Sequence, residues 1–176
     1  MKPVKIVITG AESSGKTTLT HQLSAQLDCP MVSEYARVFF EKKKTTVYVY
    51  DDLLKIAQGQ IQLENKIFKK NMNAKLFILD TDLITIKIWS IVKFGHCDAW
   101  ILNQIKQRTY DFYLLCSPEG ITWEADPLRE NPMDRQHLFQ LYEKELVFYQ
   151  KKYRILTGNE VERQQTVLST CGLNED

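Results

Sequence analysis

The sequence predicts an α/β fold in which five parallel strands form a sheet with helices on both faces. Two patterns lead to this prediction. Short apolar runs rich in β-branched residues alternate along the chain with longer stretches of helical periodicity. In addition, the main polar clusters follow directly after the apolar runs, and the carboxyl ends of parallel strands are where such sheets bind ligands.

The predicted strands are the apolar runs at residues 5–9, 31–33, 75–79, 112–116 and 153–156. Helices are expected between them: from Lys16, after Glu34, from an N-cap at Asp51 to about Ala74, at 83–94, at 98–109, from Arg135 to about Lys151, and after Asn159.

Two details of the predicted helices bear on function. The helix at residues 83–94 is apolar almost all round, so we expect it to be buried, with Trp89 in the core like Trp100 of the next helix. Gly59 lies inside a helix, where glycine is unfavourable. This indicates close approach of a ligand or of neighbouring backbone; the alternative is a tolerated glycine without a role.

At 176 residues the chain is expected to form one domain, residues 1–176. Its 23 basic and 22 acidic side chains give a net charge of +1, without the basic excess of a duplex-binding domain, so no nucleic-acid partner is expected. The richest apolar stretch, 76–94, is broken by two aspartates and two lysines, which predicts no membrane span. Four scattered cysteines are typical of reduced thiols, and we expect a cytoplasmic protein.

Residues 10–17, GAESSGKT, satisfy the pattern G-x-x-x-x-G-K-[ST] in full, with a strand before and a helix after. The pattern predicts a P-loop that binds ATP or GTP, in which backbone N–H groups and the helix N-terminus bind phosphate oxygens. Lys16 would contact the β- and γ-phosphates, and the Thr17 hydroxyl would bind Mg²⁺. The expected nucleotide-binding residues are Gly10, Glu12, Ser13, Ser14, Gly15, Lys16, Thr17 and Thr18, with Thr157, Gly158 and Asn159 after the fifth strand.

An acidic residue at a neighbouring strand end would complete the magnesium site. Asp80 follows four apolar residues of the third strand, the Walker B arrangement, and we expect it to bind Mg²⁺ together with Thr17. The alternative is that Asp80 or Asp82 is the N-cap of the helix that begins near Leu83.

Glu34 ends the second strand beside the phosphate loop. A carboxylate there could accept the proton of an acceptor hydroxyl during phosphoryl transfer. Alternatively, Glu34 forms a surface ion pair with Arg37, one helical turn away. The sequence leaves open whether Glu34 or an aspartate of the 80–82 pair is the base.

Residues 117–135, after the fourth strand, are polar and contain three prolines, and we expect them to form a lid over the nucleotide. Arg129 and Arg135 would act catalytically there, because a planar guanidinium can follow charge that spreads over phosphoryl oxygens. A solvated loop is the alternative. The catalytic residues predicted from the sequence are Lys16, Glu34, Asp82, Arg129 and Arg135.

Seven segments occur in the order GAESSGKTT, SEYAR, IAQGQ, LDTDL, KIWS, YDFYLL and DPLRENP. With them, the sequence resembles the ribosylnicotinamide kinase domain of the NadR type over nearly its whole length. The resemblance implies a P-loop NTPase of nucleoside/nucleotide-kinase-like fold, ATP and Mg²⁺ as cofactors, and phosphorylation of nicotinamide riboside to nicotinamide mononucleotide. Tyr35, Arg37, Gln60, Asp82 and Trp123 are the expected ligands of this nucleoside-like small molecule.

The sequence departs from that family in two ways. Multifunctional relatives carry DNA-binding and adenylyltransferase domains ahead of the kinase, whereas this chain begins at the first kinase strand and has no HxGH motif, so we expect neither repression nor dinucleotide synthesis. The family has tryptophan directly before the glutamate that corresponds to Glu34, where this chain has Ser33; Trp123 or Tyr35 would then have to stack on the acceptor. A different nucleoside, a nucleoside monophosphate, and a regulatory ATPase function stay open.

Overall fold

The computed structural model describes residues 2–126 and 133–171, the last of these by its backbone alone. In chain order the elements are β1 (Val4–Gly10), α1 (Lys16–Gln26), β2 (Met31–Val32), α2 (Tyr35–Lys43), α3 (Tyr50–Lys70), β3 (Leu76–Asp80), α4 (Leu83–Phe94), α5 (Ala99–Gln107), β4 (Phe112–Cys116), α6 (Arg135–Phe148), β5 (Tyr153–Leu156) and α7 (Glu160–Cys171).

The five strands form one sheet in the order β2-β3-β1-β4-β5, and every neighbouring pair is parallel. The predicted α/β fold is therefore confirmed, and the predicted strand bounds agree to within one residue. In the register, Ile8 of β1 lies beside Asp80 of β3, and Gly10 lies beside Cys116 of β4. The carboxyl ends of the three central strands thus meet at one edge, where the polar segments that follow them come together.

Apolar side chains cover both faces of the sheet. Leu19 and Leu23 of α1 and Val167 of α7 pack on one face with strand residues such as Ile8. The larger cluster on the other face comes from α2 to α6 and includes Phe40. This two-sided burial is why the strands are almost uniformly apolar rather than alternating.

Two predicted details of the helices are wrong. The third helix begins at Tyr50 rather than after an Asp51 cap, and the Asp52 carboxylate accepts the Val49 N–H at 3.1 Å. The helix at 83–94 is not buried all round, because Val92 near its end is 44% exposed.

Within residues 2–126 and 133–171, every helix is too short or too polar to cross a membrane.

Candidate functional site

A cleft of about 340 Å³ opens at the carboxyl end of β1. One side of it is the phosphate loop, residues 10–17, and the start of α1. The rest comes from α2, α4, α6 and the segment after β4. The lining residues that carry the site are Gly10, Glu12, Ser13, Ser14, Gly15, Lys16, Thr17, Thr18, Glu34, Arg37, Trp89 and Tyr142. Eight expected nucleotide-binding residues of the loop region, together with Glu34 and Arg37, therefore meet in one cavity.

The phosphate loop has backbone conformations that explain its glycines. Gly10 has a φ of 140°, and a Cβ there would lie 2.7 Å from the Cys116 carbonyl oxygen of the neighbouring strand. Gly15, with a φ of 81°, turns the chain directly into α1. Side chains are strained or excluded at both positions. The Lys16 ammonium donates to the Ala11 carbonyl at 2.7 Å, so it lies over the loop itself.

Thr17 and Asp80 are brought together as predicted. The Thr17 hydroxyl donates to one Asp80 carboxylate oxygen at 2.7 Å. The other oxygen of Asp80 is buried and has no hydrogen-bond partner among the described residues. A buried acceptor without a partner is costly. A hydroxyl beside an available carboxylate oxygen fits Mg²⁺, which takes few protein ligands beside substrate phosphates.

Glu34 lies between the end of β2 and α2, and its side chain is 27% exposed. Its carboxylate is 3.9 Å from the Arg37 guanidinium, which makes a closer ion pair with Asp126 at 3.0 Å. Burial raises the pKa of Glu34, with the Asp80 charge adding to the rise, whereas Lys16 and Arg37 lower it. A carboxylate with a raised pKa is a stronger base, as proton abstraction requires.

Gln60 and Tyr35, both expected to bind the acceptor, do not line the cleft. Gln60 of α3 is 2% exposed; its side-chain oxygen accepts the Tyr35 N–H at 2.7 Å, and its amide nitrogen donates to the Ser33 carbonyl at 3.4 Å. The Tyr35 ring packs on Gly59, where any Cβ would collide with it. The close approach expected at Gly59 is thus made by an aromatic side chain. Gln60 fixes the backbone on both sides of Glu34 instead of touching the acceptor.

The position of Asp82 does not support the catalytic and substrate-binding roles that the sequence predicted for it. It is buried, it is the N-cap of α4, and it accepts the Ile84 N–H at 3.0 Å and the Tyr113 hydroxyl at 2.8 Å. Burial raises the pKa of Asp82 to about 6, and the bond from Tyr113 opposes that rise. Both carboxylate oxygens accept hydrogen bonds from groups that do not line the cleft. Asp82 is therefore the N-cap of α4, as the alternative interpretation of the sequence predicted. The preceding Thr81 has a φ of 69°, which is strained for a β-branched residue.

The segment after β4 is attached to the phosphate loop through Ser13. The Ser13 hydroxyl donates to the Thr122 carbonyl at 3.3 Å and accepts the Glu124 N–H at 3.0 Å. Arg135, the first residue of α6, donates to the Ser13 carbonyl at 3.1 Å, and its guanidinium lies 5.7 Å from the Trp123 ring centroid. Neither Arg135 nor Trp123 lines the cleft, so both support the loop rather than face a ligand. Arg129 falls outside the described residues, and its lid role stays a prediction.

The loop after β5 is connected to the phosphate loop by Arg163, a residue for which the sequence predicted no role. Arg163 of α7 is 3% exposed and donates to the carbonyls of Ser14, Ser117 and Gly158. Thr157, Gly158 and Asn159 are themselves exposed, and the Asn159 side chain caps α7 by accepting the Glu162 N–H at 3.0 Å. They follow the edge strand β5 and do not line the cleft, and Arg163 connects the Gly158 carbonyl to the phosphate loop.

Trp89 is the second residue that the sequence interpretation missed. It was expected in the core, but it is half-buried and lines the cleft. Its indole N–H donates to the Tyr48 hydroxyl at 2.7 Å, and the two ring centroids are 5.0 Å apart. Thr85, Ile88, Trp89 and Val92 have the spacing i, i+3, i+4, i+7, so they share one face of α4. Because α4 is apolar on its other faces as well, the sequence does not distinguish this cleft face from the core face.

A family model described as an AAA domain matches residues 5–163, most of the chain. The chain belongs to this AAA-domain family.

A curated relative shows a more specific similarity than the family model does. The chain is 28% identical over 141 residues to the trifunctional NAD biosynthesis/regulator protein NadR of Escherichia coli (strain K12), an alignment that covers 77% of this chain and 34% of that protein. The chain therefore spans about a third of the length of this curated relative. This match confirms the resemblance to the NadR type.

Solved structures confirm the nucleoside/nucleotide-kinase-like fold. Two crystal structures of NadR protein, one in complex with NAD and AMP-PNP and one in complex with NR, each give a TM-score of 0.77 over 99% of this chain and 51% of theirs, at 18% and 19% identity. Thymidylate kinase from Ehrlichia chaffeensis gives 0.71 over 97% of this chain and all of its own, at 14% identity. Identities this low are evidence for the fold alone.

Proposed function

We propose that the protein is a kinase that transfers the γ-phosphate of ATP to a hydroxyl of a small nucleoside, with nicotinamide riboside the favoured acceptor. One observation carries the proposal: a single cleft holds a phosphate loop, a carboxylate of raised pKa and an aromatic side chain. These are the donor site, the base and the acceptor platform that such a transfer needs.

The donor side of the cleft suits a nucleoside triphosphate. Lys16 and the N-terminus of α1 lie where β- and γ-phosphates bind in P-loop proteins. Thr17 and Asp80 would hold Mg²⁺ there, and the ion would neutralise charge on the phosphate oxygens. The exposed residues 157–159 are linked to this loop through Arg163 and would contact the base of the nucleotide.

Glu34 would act as the base. Its carboxylate takes the proton of the acceptor hydroxyl as that oxygen forms its bond to the γ-phosphorus, and ADP leaves with the electrons of the broken bond. Lys16 and Arg37, the nearby cations, lower the pKa of Glu34 and so oppose the effect of burial. Gln60 holds the Glu34 backbone in place.

An apolar wall of the same cleft would bind the base of the acceptor. It consists of Ile88, Trp89 and Val92 of α4 with Leu138 and Tyr142 of α6. A nucleobase or pyridinium ring can stack on an indole, and a cationic ring gains a further cation–π attraction. Trp89 would therefore supply the stacking surface that Ser33 lacks. Similarity to NadR, one structure of which is in complex with NR, favours nicotinamide riboside.

The charges around Arg37 favour a nucleoside over a nucleoside monophosphate. A monophosphate acceptor needs a cation for its own phosphate. Besides Lys16, the cations among the described lining residues are Arg37, near Glu34, and Lys93, at the exposed end of α4. The Arg37 guanidinium already pairs with Asp126 and lies close to Glu34. An added phosphate there would meet two carboxylates, and like charges at short range repel.

The test is ADP release by the purified chain with ATP and a panel of acceptors: nicotinamide riboside, adenosine, thymidine and thymidine monophosphate. We expect release to depend on an added nucleoside and to be fastest with nicotinamide riboside. Lys16→Ala should abolish it, whereas Lys42→Ala, a matched change at an exposed lysine of α2, should not. Turnover that no acceptor raises would refute the kinase assignment.

A further inference from the structure

Arg163 joins three parts of the molecule through one buried side chain. Its guanidinium donates at 2.6 Å to the Ser14 carbonyl of the phosphate loop and at 2.7 Å to the Ser117 carbonyl after β4. Its Nε donates at 3.0 Å to the Gly158 carbonyl after β5. All three carbonyls belong to segments that leave the carboxyl ends of strands.

In the part of the chain that the structure describes, the charge of Arg163 has no carboxylate counterpart within ion-pair distance. Its hydrogen-bond partners are neutral groups: three backbone carbonyls and the Cys116 thiol. A guanidinium that is 3% exposed is expensive to bury unless an anion compensates it. The adjacent phosphate loop is where a polyphosphate would bring such an anion.

Hydrogen bonds to the loop carbonyls also determine where its amides point. The described peptide bonds are all trans, so the C=O and the next N–H of each plane point in opposite directions. Arg163 holds the Ser14 carbonyl, which directs the Gly15 N–H the other way, and Arg135 does the same for the Ser13 carbonyl and the Ser14 N–H. The two amides therefore point away from the arginines, and Ser14 and Gly15, which carry them, both line the cleft.

We propose that Arg163 is a positioning residue for the donor nucleotide. It orients the phosphate-binding amides from outside the cleft, ties the loop at residues 157–159 to them, and has its charge compensated by the bound polyphosphate. The inference rests on nucleotide binding at this loop as part of the proposed function.

The test compares Arg163→Lys and Arg163→Met with Arg108→Lys. Arg108 is a matched control, because it is a largely buried arginine that pairs with Glu64 far from the cleft. Affinity for ADP with Mg²⁺ is measured by calorimetry, and thermal unfolding is followed with and without ADP. Because methionine can neither hold the loop carbonyls nor supply the positive charge, we expect roughly tenfold to hundredfold weaker ADP binding for Arg163→Met.

Lysine keeps the charge but not the planar fork, so Arg163→Lys should restore affinity only in part. Arg108→Lys should lower the melting temperature and leave ADP affinity unchanged. If Arg163→Lys, or a folded Arg163→Met, binds ADP as the wild type does and loses only thermal stability, Arg163 is merely structural and the proposal is overturned. ADP binding needs no acceptor, so this failure is distinct from a failure of the kinase assignment, in which the wild type binds ADP but transfers no phosphate.

Discussion

Replacing Gln60 with leucine should separate the positioning of Glu34 from nucleotide binding. The side chain is 2% exposed and makes two hydrogen bonds, one to the residue before Glu34 and one to the residue after it. Leucine has a similar volume but can make neither bond. Gln60 lies outside the cleft lining, so any effect on catalysis must act through the backbone that carries Glu34.

The magnitude follows from those two bonds. The Tyr35 N–H, bonded at 2.7 Å, would lose its partner, which costs about 1–3 kcal/mol, and the long 3.4 Å bond to Ser33 adds at most about 1 kcal/mol. A domain of this size loses roughly 2–4 °C of melting temperature per kcal/mol, so the combined cost of about 1–4 kcal/mol should lower the melting temperature by roughly 2–16 °C. Displacing a catalytic group by about 1 Å can cost on the order of 10²-fold in rate, so kcat should fall by at least about tenfold.

The assay combines thermal unfolding, ADP affinity, and kcat and acceptor KM at saturating ATP. Gln62→Leu is the matched control, because Gln62 is exposed on the same helix. We expect the Gln60 variant to lose stability and kcat but to bind ADP normally. Unchanged kcat despite the lower melting temperature, or an equal loss of ADP affinity, would refute the positioning role.

Two further substitutions test the base and the acceptor wall. Glu34→Gln should lower kcat by about 10²–10⁴-fold. In the wild type, activity should rise with pH through a Glu34 pKa above the ordinary 4.5, and the variant should lack that limb. A raised pKa in the folded state stabilises the protein below 4.5, and this contribution is lost as pH rises through the folded pKa; the variant should therefore melt higher than the wild type at neutral pH and not below 4.5. Trp89→Ala should raise the acceptor KM roughly tenfold to hundredfold, because stacking contributes about 1–3 kcal/mol per base. Trp100 lies outside the cleft lining, so Trp100→Ala should reduce stability and leave the acceptor KM unchanged. An unchanged acceptor KM in Trp89→Ala would refute the stacking role of Trp89.

The sequence predicts the sheet and the phosphate loop because both are encoded by short contiguous segments. An apolar run between polar turns defines each strand, and the motif at residues 10–17 requires a strand before it and a helix after it. The pairing of Thr17 with Asp80 follows for the same reason, since adjacent parallel strands end at one edge.

Residues whose role depends on side-chain direction could not be assigned from the sequence. Gln60 and Asp82 are polar residues near the expected site, yet both face away from the cleft to bond backbone or a buried tyrosine. Trp89 lies on an apolar helix whose sequence does not distinguish the core face from the cleft face. Arg163 is separated from Ser14 by 149 residues, and no local pattern connects them.

Transfer of labelled γ-phosphate is the most direct test of the proposed kinase activity. The purified chain is incubated with ATP radiolabelled at the γ-phosphate, with and without nicotinamide riboside, and the products are separated. We expect the label to appear in nicotinamide mononucleotide and Glu34→Gln to remove most of this product. Label released only as inorganic phosphate, at the same rate with and without nucleosides, would contradict the proposed kinase activity.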